Sequence, residues 1–173
     1  MFERITEESF DAVFPLLEEA FPITELRTEA GQRSLLQEEQ YRLYGVKKGG
    51  RFAAVLAVWD FLDFVYIEHF AVKKEERSGG FGGLVLDAFA AEMKKPLVLE
   101  VEEPTDALTR RRIGFYQRHG LVYNPYFYLQ PPLREGNQPL PLKLMTKPNG
   151  ISEDTFRRYQ KELYRVVYKY AEK

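Results

Sequence analysis

Hydrophobic and polar positions change period several times along the chain, and each change marks an element. Met1 to Ile5 reads as a short strand. Thr6 is a good N-cap, and Phe10, Val13, Phe14, Leu17 and Phe21 then recur at helical spacing. Phe21-Pro22 ends that helix, because the residue before a proline is pushed out of the α region. A second, more polar helix fits Glu25 to Glu39. From Tyr41 the period becomes two. Tyr41 to Lys47 alternates, Lys48-Gly49-Gly50-Arg51 is a hairpin turn, and Phe52 to Asp60 and Phe64 to Val72 are apolar strands. Connections this short exclude a crossover, so the three strands form an antiparallel meander.

After Val72 the pattern breaks into charge, Lys73 to Arg77, and then glycine, at 79, 80, 82 and 83. Leu84, Val85, Leu86, Phe89 and Met93 follow at helical spacing, closed by Pro96. Leu97 to Val101 is a short strand that Pro104 terminates, and Asp106 to His119 is a helix with Gly120 as its C-terminal cap. Leu121 to Leu129 is a strand interrupted by Pro125, hence an edge or bulged strand. Six of the ten prolines lie between residues 125 and 148, so that stretch is loop-dominated, with one strand at Leu142 to Thr146. A last helix from Ser152 carries Phe156, Tyr159, Leu163, Val166, Val167 and Tyr170 on one face. That stripe is core or a contact between two copies, which would make a homodimer. The order β-α-α-β-β-β-α-β-α-β-β-α predicts an α/β (α+β) fold.

At 173 residues the chain is long enough for one self-sufficient domain, 1–173, with a core over 1–147 and a helical extension over 150–173. A hydrophobic share of 45% is too high for a disordered chain. Lys and Arg (25) balance Asp and Glu (26), which argues against a nucleic-acid partner. The absence of Cys excludes disulfides, cysteine-based zinc sites and an acyl-cysteine intermediate, and no metal site is expected. The acidic start MFERITEES is not a signal peptide, and no run approaches the length of a membrane helix. The expectation is a cytoplasmic protein without a membrane partner.

Arg77-Ser78-Gly79-Gly80-Phe81-Gly82-Gly83 holds the most chemical information, because it joins a strand to a helix. Glycines there let a ligand approach the backbone, and the amides of a helix start favour an anion. A merely flexible loop is the alternative. A P-loop would continue Gly-Lys-Ser/Thr, but Leu84-Val85 follows, and the dinucleotide fingerprint fails at Val85.

Arg77-x-x-Gly80-x-Gly82 is similar to the Arg/Gln-x-x-Gly-x-Gly/Ala signature of the GNAT superfamily of acyl-CoA-dependent N-acyltransferases, here in a bacterial-type form. Phe70-Ala71-Val72 resembles the end of that family's fourth strand. Phe115-Tyr116 before Gly120-Leu121 resembles its second conserved block. One departure is Thr109, where such families often carry Asn. The resemblance implies a central, mostly antiparallel sheet flanked by helices and acetyl-CoA (CoA) as the donor. It further implies that backbone amides from Ser78 to Gly83 take the pyrophosphate, with Gly79, Gly80, Phe81 and Gly82 in that segment. The backbone of Phe70, Ala71 and Val72 would pair with the pantetheine arm. Lys73, Lys74, Arg77 and the Arg110-Arg111-Arg112 run could neutralise phosphates, or the run of three arginines could simply solvate a helix face.

Acetyl transfer to an alkylamine needs a proton acceptor, because the amine is mostly ammonium at neutral pH. Glu68 is the first candidate. It shares a strand face with Phe70, and an otherwise apolar strand should raise its pKa. The other reading is an outward polar residue of an amphipathic strand. Tyr66 lies on the same face, at a second position where the family places acid-base groups. His69 faces the other way and reads as a structural histidine, and His119 reads as a partner of a helix C-terminus. Glu100, Glu102 and Glu103 either attract a cationic amine or solvate a strand end. Tyr116 occupies the position that, by the resemblance, protonates the departing thiolate. The loop Phe21 to Arg27 resembles the acceptor-binding loop. Tyr126, Phe127 and Tyr128 form an aromatic wall for the acceptor or pack beneath the last helix. The implied reaction is direct transfer, in a ternary complex, to a primary amine of a small molecule or peptide. The rival is a CoA- or acyl-CoA-binding module that senses or scaffolds without turnover.

Overall fold

Alternation from Tyr41 onward produces the meander it predicts. A computed structural model, describing residues 1–170, shows two compact units, Met1–Lys95 and Pro96–Lys173. Residues 171–173, the end of the expected 150–173 extension, lie outside the described residues. The first unit has strands β1 (Phe2–Arg4), β2 (Tyr41–Lys48), β3 (Arg51–Asp60) and β4 (Val65–Val72), in that order and all antiparallel. Helices α1 (Phe14–Ala20), α2 (Glu29–Ser34) and α3 (Phe81–Met93) complete it. In the second unit β8 (Leu140–Lys147) pairs antiparallel with β5 (Leu97–Glu102), β6 (Val122–Tyr123) and β7 (Tyr128–Gln130). Helices α4 (Ala107–Arg118) and α5 (Glu153–Glu162) belong to the same unit. The class is mixed α/β with antiparallel sheet, as the pattern predicts.

The two N-terminal helices differ from expectation, and both differences have local causes. Residues Phe10–Ala12 form only a 3-10 turn, and α1 starts at Phe14 with Pro15 in its first turn. A continuous helix from Thr6 would lose the Pro15 hydrogen bond and clash one turn back, whereas a first-turn proline costs nothing. The second helix shrinks to α2 followed by a 3-10 turn at Leu35–Gln37. The Thr28 side chain accepts from Gly31 N–H at 3.1 Å and so caps the helix four residues later than predicted. Residues 21–28 are therefore left as a loop between α1 and α2.

Trp59, Tyr41, Tyr66, Phe10, Phe64 and Phe89 are fully buried in the first unit. Helix α3 buries Val85, Leu86 and Phe89, and Phe89 meets the Phe2 ring edge-on at 5.5 Å. Leu84, expected on that stripe, is instead 54% exposed. Helix α4 has both ends defined as the sequence indicates. The Asp106 side chain accepts from Thr109 N–H and the Thr109 hydroxyl accepts from Asp106 N–H, a capping box. At the other end Gly120 takes φ +82°, its N–H bonds the Gln117 carbonyl, and Leu121 N–H bonds the Tyr116 carbonyl. That is a Schellman closure, which the left-handed glycine makes possible.

Strand β4 carries the irregularity that shapes the site. Ala57 pairs with His69 and Val58 with Ile67, so Glu68 is the extra residue of a β-bulge.

Candidate active site

The segment from Phe70 to Gly83 is one continuous strand–turn–helix. Phe70, Ala71 and Val72 end β4, paired with Leu56, Val55 and Ala54. Lys74–Gly79 forms a 3-10 turn, Gly80 takes φ +74° and α3 begins at Phe81. Only glycine adopts that backbone conformation without strain, and it swings the chain directly into the helix. The N-cap offers no side chain to the first amides of α3. A Cβ built on Gly79 or Gly80 would meet nothing within 4 Å, so the backbone there is open to approach. The arrangement is an open backbone cradle: undercapped amides at the positive end of a 13-residue helix.

Arg77 builds this cradle from within. Its Nε donates to the Val72 carbonyl at 2.7 Å, tying the turn back to the end of β4. Lys48 stands over the Phe81 ring at 5.4 Å and pairs with Glu76 at 2.5 Å, tethering the turn to the β2–β3 hairpin. Ser78, Gly79 and Gly80 are exposed, Phe81 and Gly82 are half-buried and Gly83 is buried.

Glu68 differs from expectation in two respects. The bulge abolishes simple alternation, so Glu68 and His69 reach the same loop rather than opposite faces. The Arg27 Nη1 donates to Glu68 Oε1 at 2.5 Å, and Trp59 Nε1 donates to Oε2 at 3.1 Å. His69 donates from Nε2 to the Glu25 carbonyl at 2.7 Å and presents its ring to Phe21 at 4.6 Å. The second difference is one of charge. Burial alone pushes the Glu68 carboxyl up, but the charge of Arg27 and the hydrogen bonds from Arg27 and Trp59 outweigh it and hold it below its ordinary value. The raised pKa expected of a carboxyl on an apolar strand is absent because the strand faces a charged loop. Burial lowers His69, so the imidazole is neutral near pH 7 despite the carboxylate beside it. Tyr66, the alternative candidate, is fully buried opposite Trp59.

Arg27 and Trp59 are the partners that sequence reasoning misses. Arg27 is 41 positions from Glu68, and no spacing rule links them.

The second unit holds the remaining candidates. Tyr116 lies on α4 with its ring edge-on to Phe115 at 5.3 Å. Burial pushes its phenol up to about 12, with Arg112 opposing, so it stays protonated through the neutral range. Tyr126 and Tyr128 pack on Phe156 of α5, at 5.0 and 6.3 Å, and the Tyr126 hydroxyl bonds the Ile151 carbonyl. They pack against the last helix, and only Phe127 of the three is exposed. The acidic strand end is internally paired. Glu102 meets Arg112 at 3.6 Å, Glu103 meets Lys143 at 3.6 Å, and Glu100 accepts from Tyr128, Gln130 and Tyr168. Arg110 bonds the Pro104 carbonyl at 3.3 Å, so two of the three consecutive arginines serve the β5–α4 connection.

Among the described residues no helix is long and apolar enough to cross a membrane.

Comparison with known proteins places this geometry. The pattern described as "Acetyltransferase (GNAT) family" matches residues 10–121. A Bacteroides thetaiotaomicron protein, named as an acetyltransferase of the GNAT family, is 33% identical. That similarity covers 97% of this chain and 98% of the other, with a TM-score of 0.91. YjbC of Bacillus subtilis, named as an acetyltransferase, is 34% identical over 104 residues, which are 59% of this chain. The match spans about half of that relative, 52% of its length. The ribosomal-protein-S18-alanine N-acetyltransferase of Escherichia coli shares the fold at 20% identity, with a TM-score of 0.65 over 89% of this chain and 96% of its own. The chain belongs to the GNAT acetyltransferase family.

Proposed function

We propose that the chain is an N-acetyltransferase that moves the acetyl group of acetyl-CoA to a primary amine of a small molecule or peptide, directly and within a ternary complex. The observation that carries this reading is the undercapped start of α3, opened by Gly80 at φ +74° and tied by Arg77 to the end of β4. Members of this family take their acetyl group from acetyl-CoA. The cradle suits its pyrophosphate: amides from Ser78 to Gly83 supply donors, and the open space over Gly79 and Gly80 admits the anion. Phe70, Ala71 and Val72 supply backbone groups for the pantetheine arm.

The donor contributes an activated thioester carbonyl. Glu68 is ionised throughout the neutral range and supplies a fixed negative charge that draws an ammonium to the site, where the amine loses its proton to water. Its depressed basicity means that the amine's own ionisation governs how the rate rises with pH. Tyr116 holds its proton until a stronger base, the departing thiolate, takes it.

One observation favours the rival reading of a CoA-binding module without turnover: Arg27 already neutralises Glu68. Calorimetry with acetyl-CoA, followed by thiol release against a panel of amines, separates the two. Binding with release supports the enzyme, binding without release supports the module, and no binding removes both.

A further inference from the structure

The bulge at Glu68 sends two consecutive side chains of β4 to one loop, residues 21–27. Glu68 takes the end of that loop through Arg27. His69 takes its beginning and middle, through the Phe21 ring and the Glu25 carbonyl. A carbonyl only accepts, so His69 carries its proton on Nε2. Nδ1 is therefore bare, has no hydrogen-bond partner and lies 3.8 Å from Glu68 Oε2, with the His69 side chain 3% exposed. A buried acceptor facing a carboxylate is an unfavourable arrangement. Were the position needed for packing alone, Phe or Leu would fill it without an orphaned nitrogen. The Nε2 contact is what distinguishes histidine there.

We infer that His69 is a positioning residue: it holds loop 21–27 in place and thereby keeps Arg27 on Glu68. The neighbours facing its ring are Glu68 beside it on β4 and Phe21, Glu25 and Arg27 of the loop. Loss of the Nε2 donor lets the loop drift, separates Arg27 from Glu68 and leaves a buried carboxyl without its cation. The kinetic consequence rests on the acetyltransferase reading, but the electrostatic one does not.

The test is carbon-13 NMR titration of the Glu68 side-chain carboxyl in the full chain. The wild type is compared with His69→Phe, which keeps the ring and removes the donor, and with His69→Asn, which is too short to reach Glu25. His69→Gln, which extends an N–H donor toward the same carbonyl, is the rescue variant. The expected result is a midpoint raised by about one pH unit or more in Phe and Asn, and restored by at least half in Gln. If either loss variant fails to fold, the other still decides. A midpoint unchanged in the loss variants, or unrestored by Gln, overturns the inference. In parallel, kcat with a good amine should fall about tenfold in Phe and Asn while acetyl-CoA affinity stays constant. A wild type without turnover removes the acetyltransferase reading and leaves the titration to judge His69 alone.

Discussion

Arg27 and Glu68 form an ion pair at 2.5 Å, with side chains 10% and 1% exposed, across 41 positions of sequence. Burying a carboxylate this deeply is tolerable only because the guanidinium and the Trp59 indole satisfy it. The pair makes Glu68 a fixed negative charge within the first unit.

Removing one partner should cost far more than removing both. Arg27→Met leaves an uncompensated buried carboxylate and is expected to destabilise by about 3 kcal/mol or more, whereas adding Glu68→Gln should recover part of it. Urea denaturation of the single and double variants measures this. The Glu68 pKa is lower folded than unfolded, so its stabilisation is present above the unfolded value of 4.5 and disappears as pH falls through the folded one. The stability gap between wild type and Glu68→Gln should therefore close in that acidic window. A gap independent of pH would contradict the ion-pair account.

Gly82 sits in the first turn of α3. An aspartate there complements the helix dipole, so Gly82→Asp should leave thermal stability within about 1 kcal/mol. The same charge repels a pyrophosphate, and acetyl-CoA affinity should fall at least ~10-fold by calorimetry. A folded variant with unchanged affinity would move the cofactor elsewhere.

Tyr168 donates to Glu100, lying 2.8 and 2.9 Å from its two carboxylate oxygens, and so fastens the chain that follows α5 to β5. Tyr168→Phe removes a hydrogen bond to a charged group and should cost about 2 kcal/mol in denaturant midpoint analysis. An effect near zero would mean that Tyr128 and Gln130 satisfy Glu100 without it.

Much of this was legible in local sequence and some was not. The hairpin at Gly49-Gly50, the glycine turn before α3 and the two ends of α4 announced themselves because each depends on residues within a few positions. Pro15 contradicted the helical spacing around it, and the spacing alone misled. The bulge at Glu68 left no local sign, since Ile67, Glu68 and His69 read as ordinary alternation. Once the bulge turns Glu68 toward the loop, its partner is a distant arginine and its pKa shifts opposite to the apolar-strand expectation. Tertiary pairing decided the electrostatics of the site, and periodicity could not carry it.

Tyr116→Phe removes only a hydroxyl and should leave stability within roughly 1 kcal/mol. A general acid contributes ~10²–10⁴-fold, and water replaces part of it, so turnover should fall at least ~10-fold with acetyl-CoA affinity unchanged. Wild-type turnover in this variant would remove Tyr116 from the leaving-group role.

The most direct measurement follows the acetyl group itself. The chain is incubated with acetyl-CoA labelled in the acetyl carbons and a panel of primary amines, and mass spectrometry reads both the amines and the intact protein. Direct transfer in a ternary complex predicts label on an amine, stoichiometric free CoA, no acetylated protein intermediate, and a slower reaction in Glu68→Gln. Label retained wholly in acetyl-CoA across the panel, with the donor still bound, would contradict it.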